Sequence, residues 1–154
     1  MTPENLALLD QELRRDEGVR NMPYKDSRGF NTVGVGHNID AKPLPSDWTF
    51  PLSDTQINQL LNDDLQDTFE ELDHYLGWWD SLDDVRQRVL ANMCFNMGIG
   101  VLLEFTNTLA DIKAQNWEAA AYGMLHSLWA KEVGPRAGRL AFMMKYGKIM
   151  AGTL

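Results

Sequence analysis

The 154-residue chain has one cysteine, 14 lysines and arginines against 22 acidic residues, and no uninterrupted apolar run approaching eighteen residues. Each shortage closes off a class of protein. The lone Cys94 cannot form an intramolecular disulfide, and its place in Val89-Leu90-Ala91-Asn92-Met93-Cys94-Phe95 marks it as a buried structural thiol without a catalytic part. A formal charge of −8 argues against nucleic acid, because phosphate binding needs a basic surface, and disfavours anionic membranes for the same reason. Without a long apolar run, membrane insertion is not expected. The opening Met1-Thr2-Pro3-Glu4-Asn5-Leu6 lacks a basic start followed by an apolar stretch, so no export signal is expected either. The histidines and the cysteine form no cluster at metal-ligand spacing, and neither a metal nor another cofactor is expected.

What the chain does have is core-forming material. Hydrophobic residues make up 44%, with five Trp, six Phe and four Tyr, enough apolar surface for one self-sufficient domain and too much for a disordered tail. Leu6, Leu8, Leu9 and Leu13 recur at helical spacing up to a stop at Glu17-Gly18. From Met22 to Ile39 the character changes. The turn cluster in Tyr24-Lys25-Asp26-Ser27-Arg28-Gly29-Phe30 precedes Thr32-Val33-Gly34-Val35-Gly36, and together they predict a small hairpin-like sheet.

Lys42 to Pro51 reads as a loop, and Ser53-Asp54-Thr55-Gln56 then matches a capping box, in which serine and glutamine side chains satisfy free backbone N–H groups. Ile57, Leu60, Leu61, Leu65, Phe69, Leu72 and Leu76 continue one apolar face for about five turns, until Gly77-Trp78-Trp79 ends it. Between Asp83 and Met97 apolar residues surround much of the helix, which predicts a central, buried position. The remainder reads as helical, with Thr106 and Asn116 as expected N-caps and Gly134-Pro135 opening a last helix to Tyr146. The prediction is an α+β fold: a single two-lobed domain over 1–154. Its sheet lobe covers about 17–52, its connecting helix about 53–76, and its helical lobe about 77–154 plus the N-terminal helix.

Hydrolysis of a glycosidic bond needs one carboxyl group to protonate the departing oxygen and another to activate water or attack the sugar. Glu17, closing a helix, and Asp26, in the following turn, fit those roles in different environments. Twenty-two acidic residues guarantee many such pairs, so the pair acquires meaning from its surroundings. Asp16-Glu17-Gly18-Val19-Arg20, Tyr24-Lys25-Asp26 and Gly29-Phe30-Asn31-Thr32-Val33-Gly34-Val35-Gly36-His37 resemble the signature of phage-type lysozymes, the muramidase family best known from the T-even bacteriophages. The resemblance runs on in order through Asn92 to Gly98, Phe105 to Leu109, Trp117 to Ala120, Ser127-Leu128-Trp129 and Arg136.

That resemblance implies a two-lobed lysozyme fold and an endolysin that cleaves the β-1,4 bond between N-acetylmuramic acid and N-acetylglucosamine in bacterial peptidoglycan. Glu17 would be the acid, Asp26 would activate a water, and Thr32 would help hold it. A water-holding hydroxyl beside Asp26 implies inversion at the anomeric carbon. Phe95 and Thr108 match saccharide-cleft positions. Asn38 and Gly123 replace a leucine and an asparagine that contact sugar, and Asn96 stands for a longer glutamine. His37 would pair with Asp64 on the connecting helix, a lobe-bridging ion pair that raises the histidine pKa.

The family further implies a monomer made in the host bacterial cytoplasm and released to the periplasmic wall through a holin-type pore. Two other readings stay open: a lytic transglycosylase, which has no use for a water-holding pair, and a catalytically inactive wall-binding module. Trp129 reads as core, the Trp78-Trp79 pair as packing, Trp48 as part of a wall-contacting loop, and His74 and His126 as structural.

Overall fold

A computed structural model describes residues 1–152 and divides the chain into two compact units. One is Asp10–Asp67; the other combines Met1–Leu9 with the residues from Thr68 onward. The divisions fall inside two helices, α1 (Pro3–Glu17) and α2 (Asp54–Tyr75). Eight α-helices and one small antiparallel sheet among the described residues make up the expected α+β architecture.

Helix α1 starts where the Thr2 hydroxyl accepts the Asn5 N–H at 3.1 Å, and ends where the Gly18 N–H returns to the Arg14 carbonyl at 3.0 Å. Arg14 and Arg15 in the last turn suit the negative end of the helix. Its buried face differs from the expected leucine stripe. Asn5, Leu9, Glu12 and Leu13 are buried at offsets of four, seven and eight residues, whereas Leu6 and Leu8 are exposed. The offsets define one helical face whatever the polarity of the side chains. Asn5 is admitted because Arg88 Nη1 donates to its Oδ1 at 2.9 Å and its Nδ2 donates to the Asp84 carbonyl at 3.0 Å.

In the Asp10–Asp67 unit, strands β1 (Arg20–Lys25), β2 (Asn31–Gly34) and β3 (His37–Asn38) pair antiparallel in chain order. Tyr24 pairs with Thr32 and Lys25 with Asn31, but the register shifts between Arg20 and Tyr24. Pro23 lies in the shifted stretch, where it has no N–H to give a ladder. Behind the sheet Val33, Val35, Leu52, Ile57, Leu60, Leu61 and Leu65 are buried. The capping box at the start of α2 forms as expected: Gln56 N–H donates to Ser53 Oγ at 3.1 Å and Ser53 N–H to Gln56 Oε1 at 2.9 Å.

In the other unit α2 ends ahead of a short 3-10 turn (Trp79–Ser81), and α3 (Asp84–Met97) follows. Eight consecutive residues of α3 from Gln87 to Cys94 are buried, the central position predicted for it. The polar members are internally satisfied, with Arg136 donating to Asn92 Oδ1 from Nε at 3.0 Å and Nη2 at 2.7 Å.

The remaining helices are α4 (Ile99–Leu103), α5 (Thr106–Lys113), α6 (Trp117–Leu125), α7 (Leu128–Val133) and α8 (Pro135–Tyr146). Thr106 proves to be the first residue of α5 and not its N-cap; Phe105 holds that position without a side-chain bond. Only Glu104 and Phe105 separate α4 from α5, and the Phe105 carbonyl itself accepts the Leu109 N–H. Asn116 does precede α6, but its side chain caps nothing.

One guanidinium fastens the end of α8. Arg86 donates to the Met144 carbonyl at 2.7 Å and the Lys145 carbonyl at 3.1 Å, pairs with Asp83, and lies 3.8 Å from the centroid of the Trp117 ring. These acceptors are carbonyls that a helix terminus leaves without intrahelical partners.

Candidate active site

Asp26 directly follows β1 and opens a three-residue turn through Ser27, Arg28 and Gly29, with Gly29 at φ +85°. A turn of this length needs one residue in the left-handed region, which glycine adopts without strain. The Asp26 N–H reaches the Phe30 carbonyl at 2.9 Å and its carbonyl accepts the Gly29 N–H at 3.0 Å. Its side chain folds into the same turn: Oδ1 accepts the N–H groups of Arg28 and Phe30, both at 2.9 Å. Oδ2 accepts no hydrogen bond from the described residues. The carboxylate is therefore held by backbone, with one oxygen spent and one available.

Thr32 follows from strand geometry. It pairs with Tyr24 across β1 and β2, which puts those two side chains on one face, and Asp26, two residues beyond Tyr24, continues that alternation one residue past the strand, where its N–H still bonds the Phe30 carbonyl. Thr32 is 3% exposed, and its hydroxyl donates to the Phe30 carbonyl at 2.9 Å. With its proton committed, the hydroxyl oxygen presents lone pairs, that is, an acceptor. Asn38 pairs with Thr32 from β3, half-buried, with Oδ1 accepting the Ala41 N–H at 3.0 Å.

Glu17, half-buried at the end of α1, lies against the β2–β3 turn: a Cβ built on Gly36 would be 2.9 Å from its Oε1. Tyr24 reports the nearness of both carboxylates. Burial raises its pKa first, the charge of Glu17 and then of Asp26 add to this, and Arg20, with its guanidinium carbon 4.4 Å from the ring centroid, opposes it. Sequence reasoning gave Tyr24 no role, though its alternation with Asp26 already placed it on that face.

The His37 ring is buried between two acceptors. Nδ1 meets Asp64 Oδ2 at 2.7 Å and Nε2 meets the Lys42 carbonyl at 2.8 Å. Burial opposes a charged ring, but the hydrogen bond and charge of Asp64, helped by the Lys42 carbonyl, outweigh it and raise the pKa above the usual value. Lys42 Nζ in turn reaches Asp64 at 3.6 Å and Asp67. All four residues belong to the Asp10–Asp67 unit, so this contact ties the sheet to α2 within one unit.

Phe95, Asn96, Thr108 and Gly123 belong to the other unit. Phe95 is half-buried on α3, and Asn96 Oδ1 accepts the Trp129 indole N–H at 2.8 Å. Trp129 is core, as expected, with its ring edge-on to Phe105 at 6.3 Å. Trp79 is buried and stacked on Phe69, while Trp78 and Trp48 are half-buried. A Cβ at Gly123 would stand 2.3 Å from Thr108 Oγ1, so the buried threonine hydroxyl fills space that a side chain at 123 would require. Cys94 is buried, and burial, followed by the charge of Glu71, pushes its pKa up to about 12. It stays an inert thiol.

Among the described residues no helix is long and apolar enough to cross a membrane. The chain is similar over 94% of its length to the pre-baseplate central spike protein Gp5 of Enterobacteria phage T4, at 28% identity, and spans 28% of that protein. It is 25% identical to the probable T4-type lysozyme 1 of Dictyostelium discoideum, covering 95% of this chain and 98% of the relative. The endolysin of Salmonella phage P22 is 31% identical across 77% of this chain and 78% of its own. The phage lysozyme family model matches residues 14–141, from the last turn of α1 into α8, and the chain belongs to that family.

Proposed function

We propose that the protein is a muramidase that hydrolyses the β-1,4 bond between N-acetylmuramic acid and N-acetylglucosamine in bacterial peptidoglycan, with inversion at the anomeric carbon. One observation carries the reading: Asp26 and Thr32 have each committed one hydrogen-bonding function to backbone and retain an acceptor on the same sheet face. Asp26 Oδ2 and Thr32 Oγ1 can each accept one proton of a water molecule. A water gripped by both protons turns a lone pair outward, toward the carbon it attacks.

Glu17 supplies the complementary step, giving its proton to the glycosidic oxygen as the bond to the anomeric carbon breaks. The attacking water loses a proton to Asp26, and its oxygen becomes the new anomeric hydroxyl. An inverting site leaves about 6.5–9.5 Å between the carboxyl groups for that water, against about 5–5.5 Å where a carboxylate attacks directly. A hydroxyl beside Asp26 serves the first arrangement and has no purpose in the second. Relatives named lysozyme and endolysin support the substrate class.

Digestion of purified peptidoglycan tests all of this at once. Fragments with hydrated reducing ends, and an α-anomer as the first-formed product by NMR, are expected. Anhydro-sugar ends would mean transglycosylation, a first-formed β-anomer would make Asp26 a nucleophile, and no fragments would mean a module that binds without cutting.

A further inference from the structure

The turn from β2 to β3 runs Gly34-Val35-Gly36-His37, and its two glycines have nearly the same left-handed φ, +66° and +67°. Any L side chain is strained at either position. Their surroundings, however, differ. A Cβ on Gly34 would rest 3.6 Å from Ile57 Cγ2, an ordinary contact, with Leu60 Cδ1 next at 3.9 Å. The three atoms nearest a Cβ on Gly36 would all belong to Glu17: Oε1 at 2.9 Å, Cδ at 3.1 Å and Cγ at 3.2 Å. Non-bonded heavy atoms prefer about 3.5–4.0 Å, so at least part of the Glu17 carboxyl stands where a side chain at position 36 would be.

We propose that Gly36 is a positioning residue for the reaction: its bare α-carbon lets Glu17 lay its carboxyl against the turn and fixes where the proton is delivered. The inference rests on Glu17 being the general acid. Glutamate has three side-chain torsions, and a wall beside its carboxyl narrows the rotamers it can adopt. The turn is a firm wall, because His37, the next residue, is tied to Asp64 and to the Lys42 carbonyl. Strand pairing fixes the other side, where Val33 faces His37.

The two glycines provide their own control. Gly34→Ala and Gly36→Ala impose the same backbone strain and should lower the Tm comparably, but only the second displaces Glu17. Initial rates of fragment release from purified peptidoglycan should show Gly36→Ala with kcat reduced on the order of 10²-fold at nearly unchanged KM, the scale of an ångström-sized misplacement. Gly34→Ala should keep the wild-type kcat. The alkaline limb of the kcat–pH profile, where the acid loses its proton, should move in Gly36→Ala alone, a change that loss of stability does not produce. If Gly36→Ala fails to fold, Gly36→Asn is measured in its place, since asparagine tolerates left-handed φ and still carries the Cβ.

A folded Gly36 variant with wild-type kcat, or an equal loss in Gly34→Ala, overturns the proposal. Glu17→Gln measured alongside separates the two ideas. Full turnover in Glu17→Gln refutes the acid itself, whereas an inactive Glu17→Gln beside a fully active Gly36→Ala removes only the positioning role.

Discussion

In the Asp10–Asp67 unit two of the candidate catalytic groups are fixed by backbone close in sequence: Asp26 by the N–H groups of Arg28 and Phe30, Thr32 by the carbonyl of Phe30. In the helical unit, side chains are held by partners far along the chain, Trp129 by Asn96 and Thr108 over Gly123. The first arrangement is rigid without needing a large core, because a short turn has few alternative conformations. The second derives its order from packing, so it changes whenever a distant neighbour does. Chemistry assigned to the first unit should therefore be separable from stability, and substitutions in the second should register as stability.

The strongest test removes the acid. Glu17→Gln should reduce the rate of peptidoglycan cleavage by roughly 10²–10⁴-fold, because the amide keeps the shape but has no proton to give. The Tm should stay close to wild type. A folded Glu17→Gln protein with normal turnover would end the proposed mechanism.

The converse test empties a site in the helical unit. Leu102 is fully buried, and Leu102→Ala should cost about 2–5 kcal/mol through lost burial and the cavity left behind. Denaturant titration gives the loss; cleavage per folded molecule should hardly change. A large fall in turnover at full occupancy of the folded state would show that the helical unit reaches into the chemistry.

The sheet unit has one stability element that depends on pH. With a raised folded pKa, His37 contributes stability that is fully present below its unfolded value, near ~6.5, and is lost as pH rises through the folded value. Asp64→Asn should cost about 1.5–3 kcal/mol near pH 6, the usual worth of a hydrogen bond to a charged group, and less in alkaline solution. NMR titration of His37 should move to lower pH. An unmoved titration would mean that Asp64 is not what holds the ring charged.

The smallest expected effect is at the capping box. Ser53→Ala should destabilise by about 1 kcal/mol at every pH, since it leaves the Gln56 N–H without its acceptor. Equal losses from Ser53→Ala and Leu102→Ala would erase the distinction between local and distant support.

Features legible in the sequence are those whose causes lie within a few residues. The end of α1 at Glu17-Gly18, the capping box at Ser53, the turn around Asp26 and the start of α8 at Pro135 all fall where predicted, because each is one local hydrogen-bond pattern. The buried face of α1 was misread at Leu6 and Leu8. Asn5 replaces them inside on the strength of Arg88, a partner 83 positions away that no periodicity announces. Thr106 has the right composition for a cap, but the close succession of α4 and α5 makes it the first residue of α5, whereas Asn116 does hold the N-cap position of α6, without a side-chain bond. The meeting of Gly36 with Glu17 was equally hidden, since it joins a turn to a helix that precedes it by two strands.

The Arg86 fastening gives the helical unit a cooperative corner. Fraying at the end of α8 would ordinarily be nearly free, as at most helix ends. Here it requires giving up the Met144 and Lys145 carbonyl bonds of a side chain that also stacks on Trp117 and pairs with Asp83. A Cβ at Gly147 would come within 2.9 Å of the same guanidinium, so the chain leaving α8 is closely fitted to it as well. The backbone amides at the start of α3, the start of α6 and the end of α8 should thus exchange with solvent as one group, opening together or not at all.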